Sequence, residues 1–189
     1  IASQNFNAIS SANTFTDDDN LQNGDPLTNA GSSHVSTGAG DLGFQTLFTN
    51  TRGTSNEAGT GSGPAATDNS DFIGVNSFTG SNAPDLAADG TPVAAGSEHN
   101  FQFNDTDGNL ALVFDGVDVS GFTNRTVSLE YFIGDTTYED DDAFSVTVSD
   151  GTTTVTVLNF GETDLGSNTA TWGTLDVDLD QIIADNGLN

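Results

Sequence analysis

A chain of 189 residues can close a substantial core without covalent staples, and its 13 Phe compensate for a hydrophobic content of only 34%. Charge is the extreme quantity: Lys+Arg 2 against Asp+Glu 28, a formal net charge of −26, which excludes phosphate-led binding of nucleic acid and disfavours anionic membrane surfaces. Cys is absent, so there is neither a disulfide framework nor thiol chemistry, and no apolar run of about 18 residues exists to insert in a membrane.

With Arg52 and Arg125 as the sole cations, the carboxylates cannot be neutralised by internal ion pairs. Their repulsion must be relieved by salt, by bound cations, or by both. Two settings meet that demand: the calcium-rich exterior of a marine bacterium, or a halophile. The sequence opens at Ile1 without Met and without a secretory leader. That is expected of a processed or excised piece and points to an extracellular or cell-surface location.

Taken in order, residues 1–15 are too sparsely apolar for a helix and predict one strand containing Phe6. Asp17 to Asn20 and Asn23 to Pro26 carry turn chemistry. Phe44, Leu47 and Phe48 anchor a loop or a short strand, and His34 is expected at the surface rather than as a ligand or base. Residues 51–70 lack any aromatic or large aliphatic side chain and predict a long surface loop within a single domain spanning 1–189. Phe72, Ile73, Val75 and Phe78 predict a strand; the turn-rich passage after it is expected to hold at most one helical turn, near Pro84 to Ala88.

The best-patterned stretch runs from Phe101 to Asp150. Leu110, Leu112 and Phe114, then Val127, Leu129 and Tyr131, then Phe144, Val146 and Val148 recur at period two, the mark of strands with one buried face. Asp150–Gly151 is a hairpin signal, with one strand ending at Ser149 and another over Thr152 to Phe160. Leu175, Val177 and Leu179 alternate with Asp176, Asp178 and Asp180, and residues 181–186 either begin a short helix or end that strand. Many short strands punctuated by Gly, Asp and Asn predict an all-β fold. The expected form is a two-sheet antiparallel β-sandwich of jelly-roll type with long Gly/Ser/Asn-rich loops.

Acidic residues gather at the turns of this stretch, and hard oxygen donors so placed suit Ca2+. In NDTDGN, Asp105 and Asp107 with Gly108 resemble the first part of an EF-hand loop. The match is incomplete, because the twelfth residue from Asp105 is Gly116 rather than Glu. A calcium loop and a plain polar turn both fit. Glu139, Asp140, Asp141 and Asp142 repel one another unless a cation sits among them. Glu139 with Asp141 or Asp142 are the expected ligands, completed by Asp115, Asp118 or Asp135 if the loops converge; a solvated acidic loop is the alternative. Tyr138, beside the acidic turn, and Trp172, opening a strand, are the aromatics placed to stack on a sugar, whereas Tyr131 is expected in the core.

Catalytic signatures are missing. No G-x-S-x-G, phosphate loop, dinucleotide fingerprint or HExxH occurs, neither His sits in a recognisable setting, and pairs of carboxylates are too common here to signify a glycosidase.

The run DTDGNLALVFDGVDVSGFTNRTVSLEYFIGDTTYEDDDAFSVTVSDG resembles the β-sandwich modules of large secreted bacterial adhesins and exported hydrolases. That resemblance covers residues 101–160. It implies a jelly roll with structural calcium and carries over Asp105, Asp107, Glu139 and Asp142 as ligands. The chain is thus expected to be a non-enzymatic, calcium-binding module for adhesion or carbohydrate binding, with an extracellular glycan or another surface protein as partner. The rival expectation is a subunit that self-assembles into a fibre or surface layer through exchange of its N-terminal strand; a polysaccharide-degrading enzyme ranks below both.

Overall fold

The computed structural model describes residues 2–6, 9, 33–49, 72–77, 85–86, 92–93, 99–104, 109–134, 138, 140, 142–169 and 172–188. These are mostly strands with two short helices, arranged in several small antiparallel sheets, and they belong to two compact units, Ile1–Asp115 and Gly116–Asn189.

In the first unit, strands β1 (Ser33–His34), β2 (Phe44–Thr49) and β7 (Asn109–Phe114) form one sheet in the order β1-β2-β7. Strand β3 (Phe72–Ser77) pairs with β6 (His99–Asn104), and β4 (Asp85–Leu86) with β5 (Pro92–Val93). The register Phe44↔Phe114 and Thr46↔Leu112 sets the alternate residues of β2 and β7 opposite one another. Ile9, Phe44 and Val75 are buried together, with Phe6, Phe101 and Leu112 packed against them. Phenylalanine does the work of a larger aliphatic core: Phe44 meets Phe6 at 5.5 Å and Phe101 at 5.6 Å between ring centroids, both edge to face, the geometry the ring quadrupoles favour.

Two expectations fail in this unit. Phe6 does not lie in a strand; its φ of 61° is left-handed, and among the described residues its segment pairs through an isolated bridge between Ser3 and Asp41. Asp85 and Leu86 form a strand rather than a helical turn. The Asp89–Gly90 dipeptide that follows is a hairpin signal, and Pro92 is tolerated because this ladder is only two residues long.

In the second unit, β8 (Thr126–Phe132) pairs with β11 (Trp172–Asp178), and β9 (Ala143–Ser149) with β10 (Thr154–Gly161). Asp150 closes the β9–β10 turn: its Oδ1 accepts the N–H of Thr152 at 2.8 Å and of Thr153 at 2.7 Å, while Gly151 takes a φ of 87°. A register skip at Val157 puts Val155, Leu158 and Phe160 opposite Val148, Val146 and Phe144. One extra residue therefore keeps a single apolar face on β10 despite its broken alternation. Tyr131 of β8 meets Phe144 at 5.7 Å and Phe160 at 5.8 Å, linking the two sheets.

Helix α1 (Glu162–Ser167) has no period to announce it. It is one turn and a half, fixed by buried Leu165 and by side chains that satisfy its end: Ser167 Oγ donates to Thr163 O and Asn168 Nδ2 to Asp164 O, each at 2.7 Å. Helix α2 (Leu179–Asn186) settles the open choice at the end of the chain. Asp178 caps it by accepting the Gln181 N–H at 3.1 Å, and Gly187 ends it at a φ of 68°. Asp180, in its first turn, accepts the N–H of Asn124 at 2.8 Å and the Nε–H of Arg125. The Arg125 side chain holds the Asp180 carboxyl below the ordinary carboxylate range.

Candidate functional site

Alternation decides what the β8–β11 pair shows to either side. Leu129, Tyr131, Leu175 and Val177 are shielded, and the opposite face presents the cross-strand pairs Phe132↔Trp172, Glu130↔Thr174, Ser128↔Asp176 and Thr126↔Asp178. Trp172 is 51% exposed and its ring lies 5.5 Å from that of half-buried Phe132. Next along the same face come exposed Glu130 and Thr174, then Ser128, whose hydroxyl donates to Asp176. Two touching rings thus adjoin a carboxylate and hydroxyls on a paired, twisted ladder.

What fixes Trp172 outward is its neighbour. Gly173 lies under Tyr131, and a Cβ built at Gly173 would fall 2.3 Å from Tyr131 Cζ. The Tyr131 ring occupies the room left by the missing side chain, which locks the register and with it the orientation of Trp172.

The other expected site residues are distributed as follows. Tyr138 is half-buried, and its hydroxyl donates to Gly134 O at 2.6 Å; it is tied to the backbone beside the acidic turn. Asp142 is half-buried just before β9. Asp105, Asp107, Asp135, Glu139 and Asp141 lie outside the described residues, as do Asp17 to Asp19. Asp118 is engaged locally, accepting the Ser120 N–H at 2.9 Å, and hydrogen bonds from Ser120 lower its pKa. Exposed Asp115 rests against the bare Cα of Gly43. Among the described residues no three His, Asp or Glu side chains gather as a metal site.

The first unit holds a second polar constellation that the sequence does not announce. His34 is not a lone surface residue: its Nε2 lies 2.9 Å from Asp41 Oδ2 and 3.1 Å from Oδ1. Asp41 also accepts the Thr37 N–H at 2.7 Å and the Thr37 hydroxyl at 2.9 Å. Those donors, the Thr37 backbone first and His34 next, bring the Asp41 carboxyl down from 3.8 to about 2. The seven-residue spacing across a Gly-rich turn is the only sequence signal of this pair.

A depressed carboxyl pKa adds stability that is complete above the unfolded value and vanishes as pH falls through the folded value. Asp41 therefore contributes fully above about pH 4 and loses its contribution toward pH 2. Unfolding of the native chain and of Asp41→Asn, followed by circular dichroism at each pH, should show a gap that is constant near neutrality and closes across that window. A gap that persists at pH 2 contradicts this assignment.

No family model matches the chain, and no curated protein sequence and no solved structure matches it.

Proposed function

We propose that the chain is an exported, calcium-binding β-sandwich of jelly-roll type that holds a glycan at the cell surface, without catalysing its turnover. The observation that carries this proposal is the outward face of β8–β11, where Trp172 and Phe132 adjoin Glu130 and Thr174. A pyranose has an apolar C–H face and an equatorial rim of hydroxyls. An exposed indole accepts the first by stacking, while a carboxylate and a hydroxyl on the same ladder can bond the second. Single exposed aromatics are common on protein surfaces and signify little. Here the rings are paired and their backbone is fixed by the Gly173–Tyr131 contact, so stacking costs little ordering entropy.

Trp172→Ala tests the proposal directly. Truncation of a central aromatic anchor costs about 2–4 kcal/mol of binding, so affinity for a bound polysaccharide should fall about 30-fold or more. The melting temperature should move little, because half of Trp172 is in water already. A panel of soluble and insoluble glycans, read by affinity electrophoresis and pull-down, is the measurement. Undiminished binding in Trp172→Ala, or a native chain that retains none of the panel, sinks it.

Calcium belongs to the same proposal through the acidic turns. Asp142, half-buried at the head of β9, is a hard oxygen donor of the kind Ca2+ takes, and Asp105, Asp107, Glu139 and Asp141 are the proposed companions. A bound divalent ion would offset repulsion in a chain of net charge −26. At fixed ionic strength, calcium at 100 times its Kd should stabilise the chelator-treated protein by about 2.7 kcal/mol, visible as a raised melting midpoint that magnesium does not reproduce. Equal effects of calcium, magnesium and sodium would leave only general screening.

A further inference from the structure

Among the described residues of segment 2–9, Ser3, Gln4, Phe6 and Ile9 are each held in the first unit by residues far along the chain. Ser3 donates its N–H to Gly40 O at 3.0 Å and accepts the Leu42 N–H at 3.1 Å. Gln4 Nε2 donates to Leu42 O at 2.7 Å, and Gln4 Oε1 accepts the Phe6 N–H at 2.7 Å. Farther on, His99 Nδ1 lies 3.1 Å from Phe6 O and 2.9 Å from Ile9 O. Both partners are carbonyls, so the proton sits on Nδ1 and the imidazole clasps the two ends of one turn. Phe6 and Ile9 then fill the seat made by Phe44, Val75 and Phe101.

The contacts with Gly40, Leu42, His99, Phe44, Val75 and Phe101 are indifferent to which copy of the chain supplies the segment. Residues 10–32 separate Ile9 from β1, a stretch that spans about 75 Å or more when fully extended. Among the described residues Ile9 is one of the three buried members of this cluster, which is incomplete without it. A seat of defined shape, an occupant joined to it by a long tether, and a core that needs the occupant are the ingredients of exchange between identical copies.

We propose that the seat accepts segment 2–9 from a second copy of the chain as well as from its own, so that two copies pair by exchanging it. The balance follows from concentration and charge. A connection of this length supplies its own segment at a finite effective concentration, of millimolar order at most, so exchange grows where copies are crowded. Net charge of −26 keeps copies apart at low salt, and the Debye length falls from about 8 Å at 0.15 M to about 3 Å at 1 M. Pairing should therefore increase with salt. This is independent of the glycan face on the second unit.

The test uses the full chain and a free peptide of the sequence IASQNFNAI. Sedimentation velocity at rising protein concentration, in about 0.15 M and about 1 M salt, should show a dimer fraction that grows with both. Excess peptide should dissolve the dimers by occupying the seats, and the same peptide carrying Phe6→Ala should need at least about tenfold more, equivalent to about 1.4 kcal/mol. A chain that stays monomeric through the whole range overturns the proposal, and so do dimers that survive excess unsubstituted peptide. Because both arms use the unsubstituted protein, neither result can be put down to a failure to fold.

Discussion

Phe44→Ala should lower the stability of the first unit by about 3–5 kcal/mol, the usual range for removing a buried phenyl ring. Phe44 is 2% exposed and stands at the centre of the ring cluster, with centroids of Phe6, Phe101, Phe114 and His34 all within 6.1 Å. Its loss removes several edge-to-face contacts at once, each worth about 0.5–1.5 kcal/mol beyond the area buried. A domain stable by about 5–15 kcal/mol has little margin for that. Phe44→Leu keeps much of the volume and should cost about 1.5 kcal/mol. The chain's Trp and both Tyr, Trp172, Tyr131 and Tyr138, lie in the second unit, so the suitable probe is hydrogen exchange at the amides of β2 and β7. Protection factors that do not fall in Phe44→Ala would show that the cluster is not what holds β2 in place.

The second large effect is expected at Gly173, and its sign is the informative part. Gly in a strand interior ordinarily costs about 0.5–1 kcal/mol relative to Ala, so Gly→Ala at an open strand site stabilises. At Gly173 the added Cβ meets Tyr131 Cζ at 2.3 Å, Cε2 at 2.5 Å and the hydroxyl oxygen at 2.6 Å. The ring is packed among Phe144 and Phe160, so any shift it makes disturbs those contacts. Gly173→Ala should therefore destabilise by about 1–3 kcal/mol, as overpacking does, and Gly173→Val by more. Combined with Tyr131→Ala the obstruction is gone, and the same Gly173→Ala change should become neutral or stabilising. Such a reversal is a coupling between touching residues and is measured by a double-mutant cycle in urea. Additive effects in the cycle would show that Tyr131 does not occupy that space. Gly173→Ala should also weaken glycan binding, since it disturbs the register that sets Trp172 outward.

Much of the second unit is written locally. The period-two runs at Val127 to Tyr131 and Phe144 to Val148 lie in strands, with Val127 more exposed than its alternation predicts, and the run from Leu175 stays a strand to Asp178, where Leu179 opens α2 instead. Asp150–Gly151 gave the hairpin. Tyr131, within a strand, is inward and Trp172, opening a strand, is outward, as their places in the sequence predict. The contacts that make a site out of those placements depend on register, which a single strand does not encode. Trp172 faces Phe132, and Gly173 faces Tyr131, only because β11 pairs with β8 rather than with its nearer neighbour β10. The His34–Asp41 pair is illegible in the sequence for a related reason: a Gly-rich turn returns the chain onto itself and onto Gln4, and neither residue type nor spacing encodes that return. Helix α1 is too short for a period to exist. The acidic turns were the most conspicuous feature of the sequence, but charge density says what must be neutralised, and only converging loops say where.

The Arg125–Asp180 pair bears on how the native chain meets a protease. With no Lys and only Arg52 and Arg125, an enzyme of tryptic specificity has two bonds to cut, and Arg52 lies outside the described residues. At Arg125 the guanidinium that such an enzyme must draw into its own pocket is held by Asp180, and the Arg125 carbonyl accepts the Leu179 N–H at 2.9 Å. Cleavage after Arg125 therefore requires the first turn of α2 to let go of the start of β8. The rate of that single cut is a clock for one local opening, in a molecule whose surface otherwise gives such enzymes almost nothing to hold.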